Sequence, residues 1–240
     1  MKLDLLAFGA HPDDVELAAG GVMAREAAAG KATGIIDLTR GELGSRGSAD
    51  IRDREALVSA EILGLKIREN LRFKDGFFAN DEAHQLEIIK KIRYYRPDIV
   101  LCNAVTDRHP DHRKGGDVVA VACFLSGLAK IVTHFDGAEQ EAWRPRAVYH
   151  YIQDRYIKPD FVVDISDFHE TKMKSIKAFS TQFFVDGEDI DAPKTPISSP
   201  EFLDFLHGRT IEMGRQAGFK HAEGFTVERF PGVKSVFDLI

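Results

Sequence analysis

The chain is poor in cysteine: only Cys102 and Cys123 occur in 240 residues, too few for a disulfide framework. Cys102 ends an apolar run and Cys123 falls in a helical pattern. Both therefore read as buried free thiols, and a reducing, cytoplasmic setting is expected. No apolar segment approaches ~20 residues, so no membrane-spanning helix is expected. Residues 1–8 carry Asp4 inside a short apolar run and lack the form of a signal peptide. A basic excess is missing as well, with 32 Lys and Arg against 38 Asp and Glu and a net charge of −6. That balance argues against a nucleic-acid partner. It leaves room for a small anionic substrate gripped by a few local arginines. There is no domain-scale repeat and no low-complexity tract.

What is present is ordinary for a globular protein: 44% hydrophobic residues, 29% charged residues and 20 glycines. A chain of this size buries roughly 70–75% of its unfolded surface and needs no staples. The first half alternates strand and helix patterns. Strands are expected at residues 3–8, 32–38, 70–73 and 99–102. Helices are expected at 15–29, 51–63, 81–95 and from about 113 to 128, with Gly30, Gly64 and Pro97 as stops. Alternation of this kind implies a Rossmann-like α/β fold, a mostly parallel sheet with helices on both faces. The second half is less regular. Strands are expected at 148–152 and 161–165, a helix at 168–179, a long loop at 185–200 and a last helix from 200 to about 216. One domain over residues 1–240 is the reading, the later part being a C-terminal elaboration of the sheet.

Two tetrapeptides carry the chemistry: His11-Pro12-Asp13-Asp14 and His109-Pro110-Asp111-His112. Each follows an expected strand and precedes a helix, at the carboxyl ends where open α/β sheets place their sites. With strand order 3-2-1-4 the two motifs face each other across one crevice. In a tight turn entering a helix, residues i and i+3 share a side, so His11 and Asp14 can chelate together. The second motif then adds one imidazole, from either His109 or His112. Three such ligands with an open position suit a catalytic zinc ion, one per chain, although Fe²⁺ or Mn²⁺ fits the same donors. Capping of a helix N-terminus explains either tetrapeptide alone but not the pair of them. The other six histidines lie in unrelated contexts and read as surface or structural residues.

Residues 10–16, Ala-His-Pro-Asp-Asp-Val-Glu, resemble the first signature of the PIG-L/LmbE-like zinc deacetylases, and Asp107-Arg108-His109-Pro110-Asp111-His112 resembles the second. Lys158-Pro159-Asp160-Phe161, Lys194-Thr195-Pro196 and His221-Ala222-Glu223-Gly224-Phe225 are similar to the bacillithiol-biosynthesis branch, which deacetylates N-acetylglucosaminyl malate. Members of that branch carry Tyr where this chain has His221. The resemblance implies that His11, Asp14 and His112 hold the metal. It further implies Asp13 as general base, His109 as oxyanion stabiliser and Asp111 as the group that orients His109. It implies a homo-oligomer and places Arg52 at the pocket rim.

Arg52 and Arg108 are the candidates for gripping a substrate carboxylate, because a guanidinium fork matches it in two-pronged geometry. The glycine-rich stretch from Thr39 to Gly47 lacks the spacing of a dinucleotide fingerprint and follows the wrong strand for one. The expected function is hydrolysis of the acetamide of a small anionic N-acetylglucosamine conjugate. Alternatives are a chito-oligosaccharide or thiol-conjugate substrate, or a non-catalytic metal- or nucleotide-binding module. Asp13 argues against the last, since metal binding has no need of it.

Overall fold

A computed structural model describes residues 1–183 and 193–239. Residues 185–192 of the loop expected at 185–200 lie outside the described residues. β1 (Leu5–Gly9), β2 (Thr33–Thr39), β3 (Ile67–Phe73), β4 (Ile99–Cys102) and β7 (Ala147–Tyr151) run parallel. β9 (Ala222–Val227) lies antiparallel between β7 and β8 (Phe161–Asp164), giving the order β3-β2-β1-β4-β7-β9-β8. A small hairpin of β5 (His134–Phe135) and β6 (Ala138–Glu139) stands apart. The expected order 3-2-1-4 is the order observed. β3 starts three residues before its expected position, because at the sheet edge its half-buried polar residues hide the strand pattern.

Alternation along β1 shows how the sheet is covered. Leu6 and Phe8 enter a cluster with Ile88, Ile89 and Ile92 of α3 (Glu82–Tyr95) and with Val118, Val119 and Ala122 of α4 (Pro110–Leu125). Leu5 and Ala7 enter the opposite cluster with Val15, Ala18, Ala19, Val22 and Met23 of α1 (Asp14–Ala28). α2 (Ala49–Leu63), α5 (His169–Lys177) and α6 (Pro200–Ala217) build a further apolar cluster around Phe179 and Phe183. Ser48 and Asp81 cap α2 and α3 through their side chains, and Gly64 closes α2 in the left-handed region. No helix among the described residues is long and apolar enough to cross a membrane.

Candidate metal centre

β1 and β4 are hydrogen-bonded neighbours, so the loops leaving their carboxyl ends meet over one crevice. His11 Nδ1 lies 3.7 Å from Asp14 Oδ2, and His112 Nε2 lies 3.1 Å from Asp14 Oδ1. The structure therefore brings His11, Asp14 and His112 together, with His109 beside them. The ring centres of His11 and His109 are 4.8 Å apart and those of His109 and His112 are 5.1 Å apart. His11, His109 and His112 each offer a ring nitrogen within 4.8 Å of the others, and the two histidines of the second motif differ in their surroundings. His112 Nδ1 is 2.5 Å from Asp107 Oδ2, the carboxylate-behind-imidazole arrangement that fixes a ligating histidine. His109 Nδ1 instead accepts the backbone N–H of Asp111 at 3.2 Å. A neutral His109 must then carry its proton on Nε2, which makes that atom a hydrogen-bond donor.

Asp111 departs from its expected part. Its carboxylate does not pair with His109 but accepts the N–H of Gly76 at 2.7 Å, pairs with Lys114 Nζ at 2.7 Å and stands 3.6 Å from His11 Nε2. The reason is local. In the first turn of α4 it is the Asp111 backbone that meets the His109 ring, and its side chain swings across to the loop after β3. That loop also supplies Asp75, whose Oδ1 is 3.1 Å from His11 Nε2. Asp14 is held in turn by Asn103 Nδ2 at 2.9 Å, Gln153 Nε2 at 3.1 Å and the His11 N–H at 3.0 Å. Asp75, Asn103 and Gln153 sit in no motif and gave no sequence signal. Asp107 lay inside the second signature without a role.

The electrostatics call for a cation. Burial works against a charged His11, yet hydrogen bonds to Asp111 and Asp75 and the Asp14 charge outweigh it and lift its pKa to about 10. For His112, burial is outweighed by Asp14 and Asp107, and its pKa rises to about 9. Burial opposes ionisation of Asp14 as well, but the two imidazoles hold it well below the ordinary carboxylate range. A field that retains protons this strongly also suits a divalent ion, and two imidazoles with one carboxylate are zinc-type donors. The residues present fit the group.

Asp13 sits between these ligands with φ of 117°, in the left-handed half of backbone space. A non-glycine residue there costs about 1–3 kcal/mol and marks functional sites. Burial pushes its pKa up to about 7, against the pull of the Arg52 guanidinium. Arg52 lies beneath the glycine-rich loop: a Cβ at Gly41, where φ is 63°, would collide with its guanidinium. Its Nη2 donates to Gln182 Oε1, and its buried Nε has no hydrogen-bond partner among the described residues. Arg108 stands at the rim, with about half its side chain exposed, and donates from Nε to Asp154 Oδ2 at 2.5 Å. Both arginines line a cavity of about 370 Å³ with the histidines, and Phe202, Phe205 and Arg209 of α6 form its far wall. A larger groove of about 720 Å³, against residues 228–232, borders the opposite ends of the strands and holds none of these histidines.

A model of the PIG-L family, GlcNAc-PI de-N-acetylase, matches residues 6–123, the stretch that contains both tetrapeptides. The chain is 28% identical to a diacetylchitobiose deacetylase of Thermococcus kodakarensis, covering 95% of this chain and 84% of that protein. It is 35% identical to the uncharacterized deacetylase YaiS of Escherichia coli over 50% of this chain and 67% of the relative. The crystal structure of the conserved protein TT1542 from Thermus thermophilus superposes with a TM-score of 0.85 at 32% identity, covering 98% of both chains. A shared fold alone does not set a chemistry, but the family match falls on the residues that line the crevice, and on that ground the chain belongs to the PIG-L family and is a hydrolytic N-deacetylase.

Proposed function

We propose that this deacetylase removes the acetyl group from a small N-acetylglucosamine conjugate whose other end bears a carboxylate, as N-acetylglucosaminyl malate does. A single zinc ion held by His11, Asp14 and His112 would lower the pKa of water toward ~7 and polarise the acetamide carbonyl. The rest falls to the chain's own residues. Asp13 accepts the proton of the attacking water and returns it to the leaving amine. His109 donates from Nε2 to the carbonyl oxygen as it becomes an oxyanion. It does so as a neutral ring, because its Nδ1 already accepts a backbone N–H.

The observation that carries this reading is Asp13, buried and strained between two ligands, a placement that metal binding alone does not require. Support for the anionic substrate comes from Arg108, half-exposed on the cavity wall, while Arg52 beneath the glycine-rich loop holds that wall in place. A second reading rests on the Thermococcus relative: diacetylchitobiose is the substrate, with Phe202 and Phe205 as stacking surfaces for its rings. Comparing kcat/KM on N-acetylglucosaminyl malate, N,N′-diacetylchitobiose and N-acetylglucosamine, with and without a chelator, separates the two. A clear preference for the malate supports the first reading. A preference for the disaccharide replaces it with the second. Turnover unaffected by exhaustive metal removal sinks the metal-assisted mechanism.

A further inference from the structure

Away from the candidate centre, the fold gathers three of the six remaining histidines. His169 opens α5, His207 lies on α6, and His221 directly precedes β9. One ring nitrogen from each of the three falls within 4.8 Å of those offered by the other two. His207 Nδ1 is 3.2 Å from His169 Nε2. Two imidazoles bound at ~2.0–2.1 Å to one tetrahedral ion stand about 3.3 Å apart, so this pair is already at ligand spacing. His221 stacks on His169 with ring centres 3.9 Å apart and planes inclined by 19°. Its nitrogen has to close by at most about 1.5 Å to complete a three-imidazole set.

The tautomer of His221 is fixed by a neighbour. Thr210 Oγ1 donates its single proton to the carbonyl oxygen of His207 at 2.8 Å. At its 2.9 Å contact with His221 Nδ1 it can therefore only accept. The proton of a neutral His221 is on Nδ1, and the lone pair of Nε2 is free, the tautomer control that outer partners give metal-bound histidines. None of the three rings forms an ion pair with a carboxylate among the described residues. Burial and the neighbouring imidazoles disfavour protonation of His169 and His221. The rings are neutral, and the one proton shared between His207 Nδ1 and His169 Nε2 has to move to the far nitrogen of its ring when an ion binds. His169 and His221 are buried, while the exposed His207 opens onto a cleft.

We propose that His169, His207 and His221 form a second metal site, three imidazoles with an open fourth position, which takes a divalent ion of imidazole preference such as Zn²⁺. The cleft lining carries Lys174, Lys177, Arg215 and Lys220 against Asp167 and Glu170. The fourth position therefore favours a small anion over a second cation. An ion here clips α5 and the start of β9 to α6, the helix that supplies Phe202, Phe205 and Arg209 to the deacetylase cavity.

The probe is Zn²⁺ alone, added to metal-free protein. The wild type is expected to hold one more tightly bound zinc per chain than His207→Ala, a variant at an exposed position that should fold normally. In the His112→Ala background zinc should still raise the Tm, and in the doubly substituted His112→Ala/His207→Ala protein it should not. Thr210→Val should weaken zinc binding at this site about 10–100-fold, the usual effect of losing an outer partner. Equal zinc counts in wild type and His207→Ala, or unchanged affinity in Thr210→Val, overturn the proposal.

Discussion

Asp107 and His112 face each other at 2.5 Å, carboxylate oxygen to imidazole Nδ1, so that Nε2 of the same ring is turned toward Asp14. Asp75 stands behind His11 in the same way. Outer partners of this kind typically hold a metal site by 10–100-fold in affinity. Asp107→Asn and Asp75→Asn are each expected to weaken zinc binding by about that factor while leaving the fold intact. Competition with a chromophoric chelator reads it directly, and unchanged affinity in both variants would assign the metal to other donors.

Asp13→Asn should retain metal and lose about 10²–10⁴ in kcat, the usual contribution of a positioned base. The same position tests strain. Asp13→Gly removes a side chain from a left-handed backbone. Relief of about 1–3 kcal/mol of strain is offset in part by the ~0.5–1 kcal/mol entropic cost of glycine. A Tm increase of about 2–4 °C is expected in a protein that no longer turns over. A lower Tm would show that the conformation is not strained.

His109→Ala and His112→Ala should part company. The first keeps metal and loses about 10²–10³ in kcat, as when one oxyanion donor is removed. The second loses metal and activity together. Metal analysis showing the reverse pattern would exchange the roles of the two histidines.

The two arginines are expected to differ. Arg108 is half-exposed and shared with Asp154, so Arg108→Ala should cost about tenfold in kcat/KM on an anionic substrate, the lower end for a charged hydrogen bond. A neutral N-acetylglucosamine glycoside should be nearly unaffected. Arg52 is buried under the glycine-rich loop, and its loss should lower turnover of both substrates and the Tm. Equal losses on both substrates for Arg108→Ala would remove the carboxylate grip.

The stacked histidines predict an acid sensitivity in metal-free protein. Burial, His221, His207, Lys172 and Lys220 together hold the His169 pKa at about 4, below its ordinary 6.5. The unfolded chain therefore takes up a proton first as pH falls, and the folded state loses stability between about pH 6.5 and 4. Above pH 6.5 the contribution is complete. Urea unfolding at pH 7 and pH 5 in the presence of chelator should show it as a difference: on going to pH 5, His169→Asn gains stability relative to the wild type. Identical pH slopes in the two proteins would place the sensitivity elsewhere.

The sheet order around β1 and the meeting of the two tetrapeptides were legible because strand–helix alternation and local motifs are short-range signals. What stayed hidden depends on contacts distant in sequence. Asp75 reaches His11 from a loop 64 residues away, and Gln153 reaches Asp14 across 139. Each is an ordinary polar residue until the fold places it. β9 was missed as a strand since Ala222–Val227 mixes glycine and a buried glutamate whose carboxylate pairs with Lys172 and accepts the N–H groups of Gly21 and Val22. Asp111 meets His109 through its backbone N–H and not its carboxylate, a side-chain direction that spacing does not encode.

Placing β9 between β7 and β8 has a consequence for biosynthesis. During translation β7 emerges with one edge matched by β4, while its other edge must wait some 70 residues for its antiparallel partner. β8 waits as well, since its one neighbour among the described residues is β9. Unpaired edges are templates for intermolecular pairing, and partly folded chains are exposed to it while they wait. A ribosome that stalls before Ala222 therefore carries a sheet with an open seam.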